Sequence, residues 1–167
     1  MSPPFLLPAG DGPAYASPMQ NLFDPARRDS ILARLASLQP SAQRQWGKMG
    51  VAQMLAHCSV AMEAGTGDRP RKQQLIGKLL AWMVRSKVLG DQPFSRNSPT
   101  DPTFIVRDEK DFDVEKRRLI SVVSKFCEAG PDSASRQTHS FLGKLSGDEW
   151  GVMMYKHIDH HLKQFDA

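Results

Sequence analysis

The chain has 167 residues, a hydrophobic fraction of 40%, a charged fraction of 24% and a formal net charge of +4. That length suffices for one domain with a buried core, and the basic excess is too small and too scattered for a nucleic-acid-binding surface. No apolar run approaches the roughly 18 residues that a bilayer-spanning helix needs.

Residues 1–18 hold five prolines and a short apolar patch, Phe5-Leu6-Leu7, broken by Pro4 and Pro8. The patch lacks the basic lead-in of a signal peptide. Residues 1–20 therefore read as an extended arm, and residues 21–167 as a single domain. A first helix is expected from Asp24, with that residue as N-cap and Pro25 at the first helical position. Ile31, Leu32, Leu35 and Leu38 follow at helical spacing, and Gln39-Pro40 ends it. A second helix runs from a cap at Gly50 to about Ala64, with Met54, Leu55, Cys58, Ala61 and Met62 inward, and stops at Gly65-Thr66-Gly67.

A third helix is expected over 72–89, with Leu75, Ile76, Leu79, Leu80, Met83 and Val84 apolar. Arg69, Arg71, Lys72, Lys78, Arg85 and Lys87 accompany it. A basic amphipathic helix can lie on an anionic membrane. The commoner arrangement assigns the stripe to the core and the cations to solvent, which leaves no membrane contact. Residues 90–110 read as a long loop with one extended piece at Phe104-Ile105-Val106. A fourth helix follows from Phe112 to Ala129, closed by Gly130-Pro131. A fifth opens on Ser146-Gly147-Asp148-Glu149, the serine-then-glutamate spacing of a capping box, and runs to about Phe165. Long amphipathic helices with almost no alternating pattern make this an all-α helical bundle. The two cysteines, Cys58 and Cys127, sit among apolar helical residues and read as free thiols of a reducing cytoplasm. A ligand or nucleophile role for Cys58, beside His57, is the alternative.

The fifth helix carries three of the five histidines: His157, His160 and His161. His157 and His161 are four apart and share a face with Trp150, Met153, Met154 and Gln164. Two imidazoles on an inward apolar stripe need partners. One divalent metal satisfies both. His57 interrupts the apolar run of the second helix and is the natural third ligand, giving a three-histidine set with an open coordination position. Ile158 stands where a zincin protease carries its catalytic glutamate, which argues against that peptidase chemistry. Asp159 turns about 200° from His157 and reads as facing solvent or supporting the site from outside rather than as a ligand. His160 lies about 60° off the ligand face; Gln164 can orient a ligand ring or a bound water. His139, in a loop, is either solvated or pocket-lining.

Trp46-Gly47-Lys48-Met49, Gln53-Met54-Leu55-Ala56-His57-Cys58, His139-Ser140-Phe141-Leu142-Gly143-Lys144-Leu145, Trp150 and the segment from His157 to Phe165 together resemble an uncharacterised family of the DinB-like, YfiT-like superfamily of metalloenzymes. The resemblance covers Asp24 to Asp166 and is most specific at the histidine-bearing segments. It implies an up-down-down-up four-helix bundle with an extra short helix and a long loop. It also implies a metal, zinc or nickel, held by His57, His157 and His161. Ser140 stands where that family often has proline, and Gly50 where it has a hydroxyl cap; neither is a proposed ligand. Some relatives are implied to be transferases or isomerases that use low-molecular-weight thiols.

The expected function is therefore a metal-dependent enzyme acting on a small molecule, of hydrolase or thiol-dependent transferase type. His160, Gln164 and His139 are its candidates for orienting or proton-transfer roles. The alternatives are a non-catalytic metal- or ligand-binding bundle and a structural domain with a degenerate site. A homodimer is compatible with such a bundle.

Overall fold

The computed structural model describes residues 20–98, 101 and 104–167. The proline-rich arm lies outside the described residues but for Gln20. The described chain is mostly helical: α1 (Pro25–Ser37), α2 (Val51–Thr66), α3 (Leu75–Leu89), α4 (Phe112–Ser135) and α5 (Gly147–Gln164), with a two-stranded antiparallel hairpin, β1 (Thr138–His139) and β2 (Gly143–Lys144), before the last helix.

Local chemistry sets most of the boundaries. The Asp24 carboxylate accepts from the amides of Ala26 at 2.8 Å and Arg27 at 3.1 Å, and Pro25 opens the helix where no donor is needed. Gly50 caps α2 with backbone alone, and the Gln53 side chain reaches back to its N–H at 2.9 Å. α2 runs through Gly65 and Thr66 and ends at Gly67, whose φ of 82° is the left-handed stop. At α5 the capping box is complete. Ser146 Oγ accepts from the Glu149 amide at 3.2 Å, and Glu149 Oε2 accepts from the Ser146 amide at 2.8 Å.

Two expectations change and one is extended. The helical turns of α3 begin at Leu75 rather than Lys72. Gly130-Pro131 breaks the helical geometry after Ala129, where the end was expected. Gly130 takes φ 76°, ψ 174°, and Pro131 starts a further turn that continues to Ser135. Phe104-Ile105-Val106 form no strand; Phe104 is buried as an anchor of the loop after α3.

The core is built from Ile31 and Leu35 of α1, Met54, Leu55, Cys58 and Met62 of α2, Leu119, Val123 and Phe126 of α4, and Trp150, Met154, Ile158 and Leu162 of α5. Each such side chain contributes about 1.5–3 kcal/mol by leaving water. α2 lies innermost, packed against both α4 and α5. Gly65 makes this closeness possible, because a Cβ there would sit 2.9 Å from the Phe126 ring. Arg118 of α4 clasps Glu63 of α2 at 2.6 Å and Glu115 at 3.0 Å.

Most of the apolar stripe of the third helix stays out of the core, Val84 alone of it packing half-buried against the core together with Ala81, Val88 and Leu89. Leu75, Ile76, Leu79, Trp82 and Met83 are exposed, and Gly77 is the one buried residue of α3. The helix is held at its edges. Gly77 abuts the Phe141 backbone, Arg85 pairs with Glu149 at 2.5 Å, and Lys156 of α5 caps its C-terminal end. Periodicity alone does not say which of two faces a helix buries. No described helix is long and apolar enough to cross a membrane.

Candidate metal centre

α2 and α5 run side by side in the interior and bring His57, His157 and His161 to one point. One ring nitrogen from each lies within 4.8 Å of the other two. His57 and His161 are buried, and His157 is partly buried. His57 Nε2 and His157 Nε2 are 2.9 Å apart. The His57 ring centroid lies 4.9 Å from that of His157 and 4.8 Å from that of His161. Among the described residues no cysteine or carboxylate joins the three. Cys58 points away: its Sγ lies 3.8 Å from Met54 Sδ, and burial pushes its thiol far above the usual range.

The surroundings fix which nitrogen of each ring is free. His57 Nδ1 lies 2.8 Å from the Phe104 carbonyl. A carbonyl only accepts, so Nδ1 carries the proton and Nε2 presents a lone pair to the cluster. His161 Nδ1 lies 2.9 Å from Gln164 Oε1, and Gln164 Nε2 donates to the Trp46 carbonyl at 2.7 Å. That second bond orients the amide, so its oxygen faces His161 and the His161 Nε2 lone pair also points inward. Two inward lone pairs set by outer acceptors are the arrangement that supports a metal-bound histidine. Gly47 permits it. With φ at 79°, it lies under Gln164, and a Cβ there would be 2.5 Å from Gln164 Nε2.

Burial keeps all three rings neutral. It lowers His57 and takes His157 well below its ordinary 6.5, helped by His57 and His161 nearby; it brings His161 down to about 3. Neutral imidazole is the ligand form, so these rings need lose no proton to bind a cation at neutral pH.

His160 lies beside the cluster, not in it. Its ring sits 5.6 Å from Trp46 and 6.1 Å from Phe94. With Arg96, Lys156, Asp159 and Lys163 these form a cleft of about 350 Å³. The Arg96 guanidinium stacks on Trp46 at 4.5 Å, and Lys156 Nζ sits 4.9 Å over Phe94. Asp159 is held by ion pairs with Arg34 at 2.8 Å and with Lys163, at the same cleft, at 2.7 Å. His139 lines neither the cluster nor the cleft. Its Nδ1 accepts from the amides of Phe141 at 3.1 Å and Leu142 at 3.0 Å, its ring packs 5.7 Å from Trp150, and burial lowers its pKa to about 4.

Three participants had no individual signal for a role at the site, although Trp46 belongs to a segment that carries the family resemblance. Phe104 acts through its carbonyl, Trp46 through both carbonyl and ring, and Phe94 through its place in the loop after α3. That loop brackets the site, with Phe104 behind His57 and Phe94 over His160. The length and polarity of residues 90–110 were the only hint for the two phenylalanines. No curated protein and no solved structure matches the chain. The model of the family described as a protein of unknown function (DUF1569) matches residues 20–167, and the chain belongs to that family.

Proposed function

We propose that this protein is a metal-dependent enzyme acting on a small molecule, built on a DinB-like four-helix bundle with His57, His157 and His161 as ligands of one zinc or nickel ion. The observation that carries the reading is the pair of tautomers set by Phe104 and Gln164, which leave two lone pairs turned toward His157 with no carboxylate or thiolate among the described residues completing the set. Three histidines without a fourth protein ligand match catalytic rather than closed structural sites. When bound, such an ion acidifies a coordinated water or thiol and polarises a carbonyl.

This chain's own residues supply the rest. Trp46 and Phe94 offer apolar walls to a substrate in the cleft, and the Arg96 guanidinium offers a cation to an anionic end, Lys163 being paired with Asp159. The neutral His160 ring, 5.2 Å from His161, is placed to take or give a proton at the cleft floor. Hydrolysis is compatible with this set, and thiol-dependent transfer is what the resemblance to the DinB-like superfamily adds.

One observation favours a second reading, a structural domain in which the histidines satisfy one another. The 2.9 Å contact between His57 Nε2 and His157 Nε2 is also a good hydrogen bond if His157 donates. Elemental analysis and zinc titration of the purified protein separate the two. Stoichiometric metal, abolished in His161→Ala and in His57→Ala, supports the metal site; wild-type protein that takes up no zinc or nickel refutes it. Turnover in a hydrolase and thiol-transfer screen, or a thiol that perturbs a cobalt-substituted site, then supports an enzyme over a binding domain.

A further inference from the structure

α3 turns its apolar strip to solvent. Leu75 is 77% exposed, Leu79 68%, Trp82 76% and Met83 58%. At 3.6 residues per turn, Leu75, Leu79 and Trp82 lie opposite Gly77, the buried residue of the helix. Ile76 and Met83, seven apart, widen the strip on one side. A contiguous exposed strip of this kind marks an interaction surface.

The charges around it say what it meets. From Arg69 to Gly90 there is no Asp or Glu, while six cations fall in that span. Three of them are engaged with the domain: Arg69 with Glu63, Arg85 with Glu149, and Arg71 over the Phe104 ring. Lys72, Lys78 and Lys87 are exposed and form no ion pair among the described residues. Lys78 borders one edge of the strip, Lys87 the other, and Lys72 stands ahead of its N-terminal end. A second α3 packed on this face would meet the same sign of charge. An anionic bilayer surface complements it, with apolar side chains at the headgroup boundary and lysines on phosphates.

We propose that α3 docks this protein on anionic membrane surfaces, lying in the interfacial plane with Leu75, Leu79, Trp82 and Met83 inserted. This reverses the expectation of no membrane contact, which rested on the strip being needed by the core. The helix is suited to the task because its fixings lie on the opposite face and at its ends: Gly77 against Phe141, Arg85 on Glu149, and Lys156 on the carbonyls of Lys87, Val88 and Gly90.

Flotation of the full-length protein with vesicles tests it. Vesicles of equal phosphatidylglycerol and phosphatidylcholine should carry the protein, and pure phosphatidylcholine should not. Binding should fall more than tenfold as salt rises from about 0.05 to 0.5 M, because screening shortens the reach of the lysines. Tryptophan emission should shift to the blue on binding, and Trp82→Phe should abolish the shift. Leu79→Glu with Trp82→Glu should lower binding more than tenfold at unchanged helical circular dichroism. If that pair perturbs folding, the surface pair Lys78→Glu with Lys87→Glu takes its place. Failure of the wild type to bind anionic vesicles would overturn the proposal, as would equal binding by the charge-reversed variant. So would a dimer that Leu79→Glu dissociates, since the strip would then belong to a second copy.

Discussion

Gln164 links folding to the candidate metal centre, and replacing it separates the two. Its side chain accepts from His161 Nδ1 at 2.9 Å and donates to the Trp46 carbonyl at 2.7 Å, with only 3% of its surface exposed. Leucine keeps the volume and removes both bonds. A buried imidazole N–H and a part-buried carbonyl are then left without partners, at about 1–3 kcal/mol each, so Gln164→Leu should lose about 2–4 kcal/mol of stability in urea unfolding. The His161 ring is also freed to rotate or to change tautomer. Loss of such an outer partner weakens metal binding about 10- to 100-fold, which zinc competition against a chromophoric chelator reads directly. Gln164→Glu divides the effects. A carboxylate still accepts from Nδ1 and makes the ring a stronger donor, so zinc affinity should hold or rise. It cannot donate to Trp46, so stability should still fall. Equal weakening of zinc binding in both variants, or wild-type affinity in Gln164→Leu, would refute the role assigned to this amide.

Three further outcomes follow from particular contacts. A methyl group on Gly77 would run into the Phe141 backbone, which cannot yield as a side-chain tip does; Gly77→Ala should cost about 1–3 kcal/mol in urea unfolding, and no loss would mean that α3 is not seated there. Lys156→Leu removes hydrogen bonds to the carbonyls of Lys87 and Val88 in α3 and of its cap residue Gly90 and should speed hydrogen exchange at that end of the helix without unfolding the domain; unchanged exchange would show that the cap is idle. His139 has its pKa lowered from 6.5 to about 4 by burial, so the unfolded chain takes up a proton that the folded one refuses. Its stabilisation is complete above about pH 6.5 and is lost as pH falls toward 4, by up to about 1.4 kcal/mol per unit. Between pH 6.5 and 4.5 the wild type should therefore lose about 2 kcal/mol more than His139→Asn, whose amide accepts without titrating. Parallel decline in both would contradict the burial of this ring.

The sequence by itself determined the elements whose causes are local. Asp24 and Pro25 start α1, and Ser146 with Glu149 start α5, because each cap satisfies amides three residues away or fewer. It also determined that His157 and His161 share the buried face of α5, since spacing and apolar neighbours suffice for that, and it nominated His57 because a lone polar ring in an apolar helix must find a partner. Only the tertiary structure decided what those rings bond. The Phe104 carbonyl comes from a loop 47 residues away and the Trp46 carbonyl meets Gln164 across 118. A backbone acceptor has no residue signature. The same limit explains α3. Its periodicity is equally good for a helix facing the core or facing outward, and the choice fell to Gly77 against Phe141, to Val84 and Val88 on the core and to Lys156 at its end. Apolar spacing says that a face exists; which partner covers it depends on contacts that no local window contains.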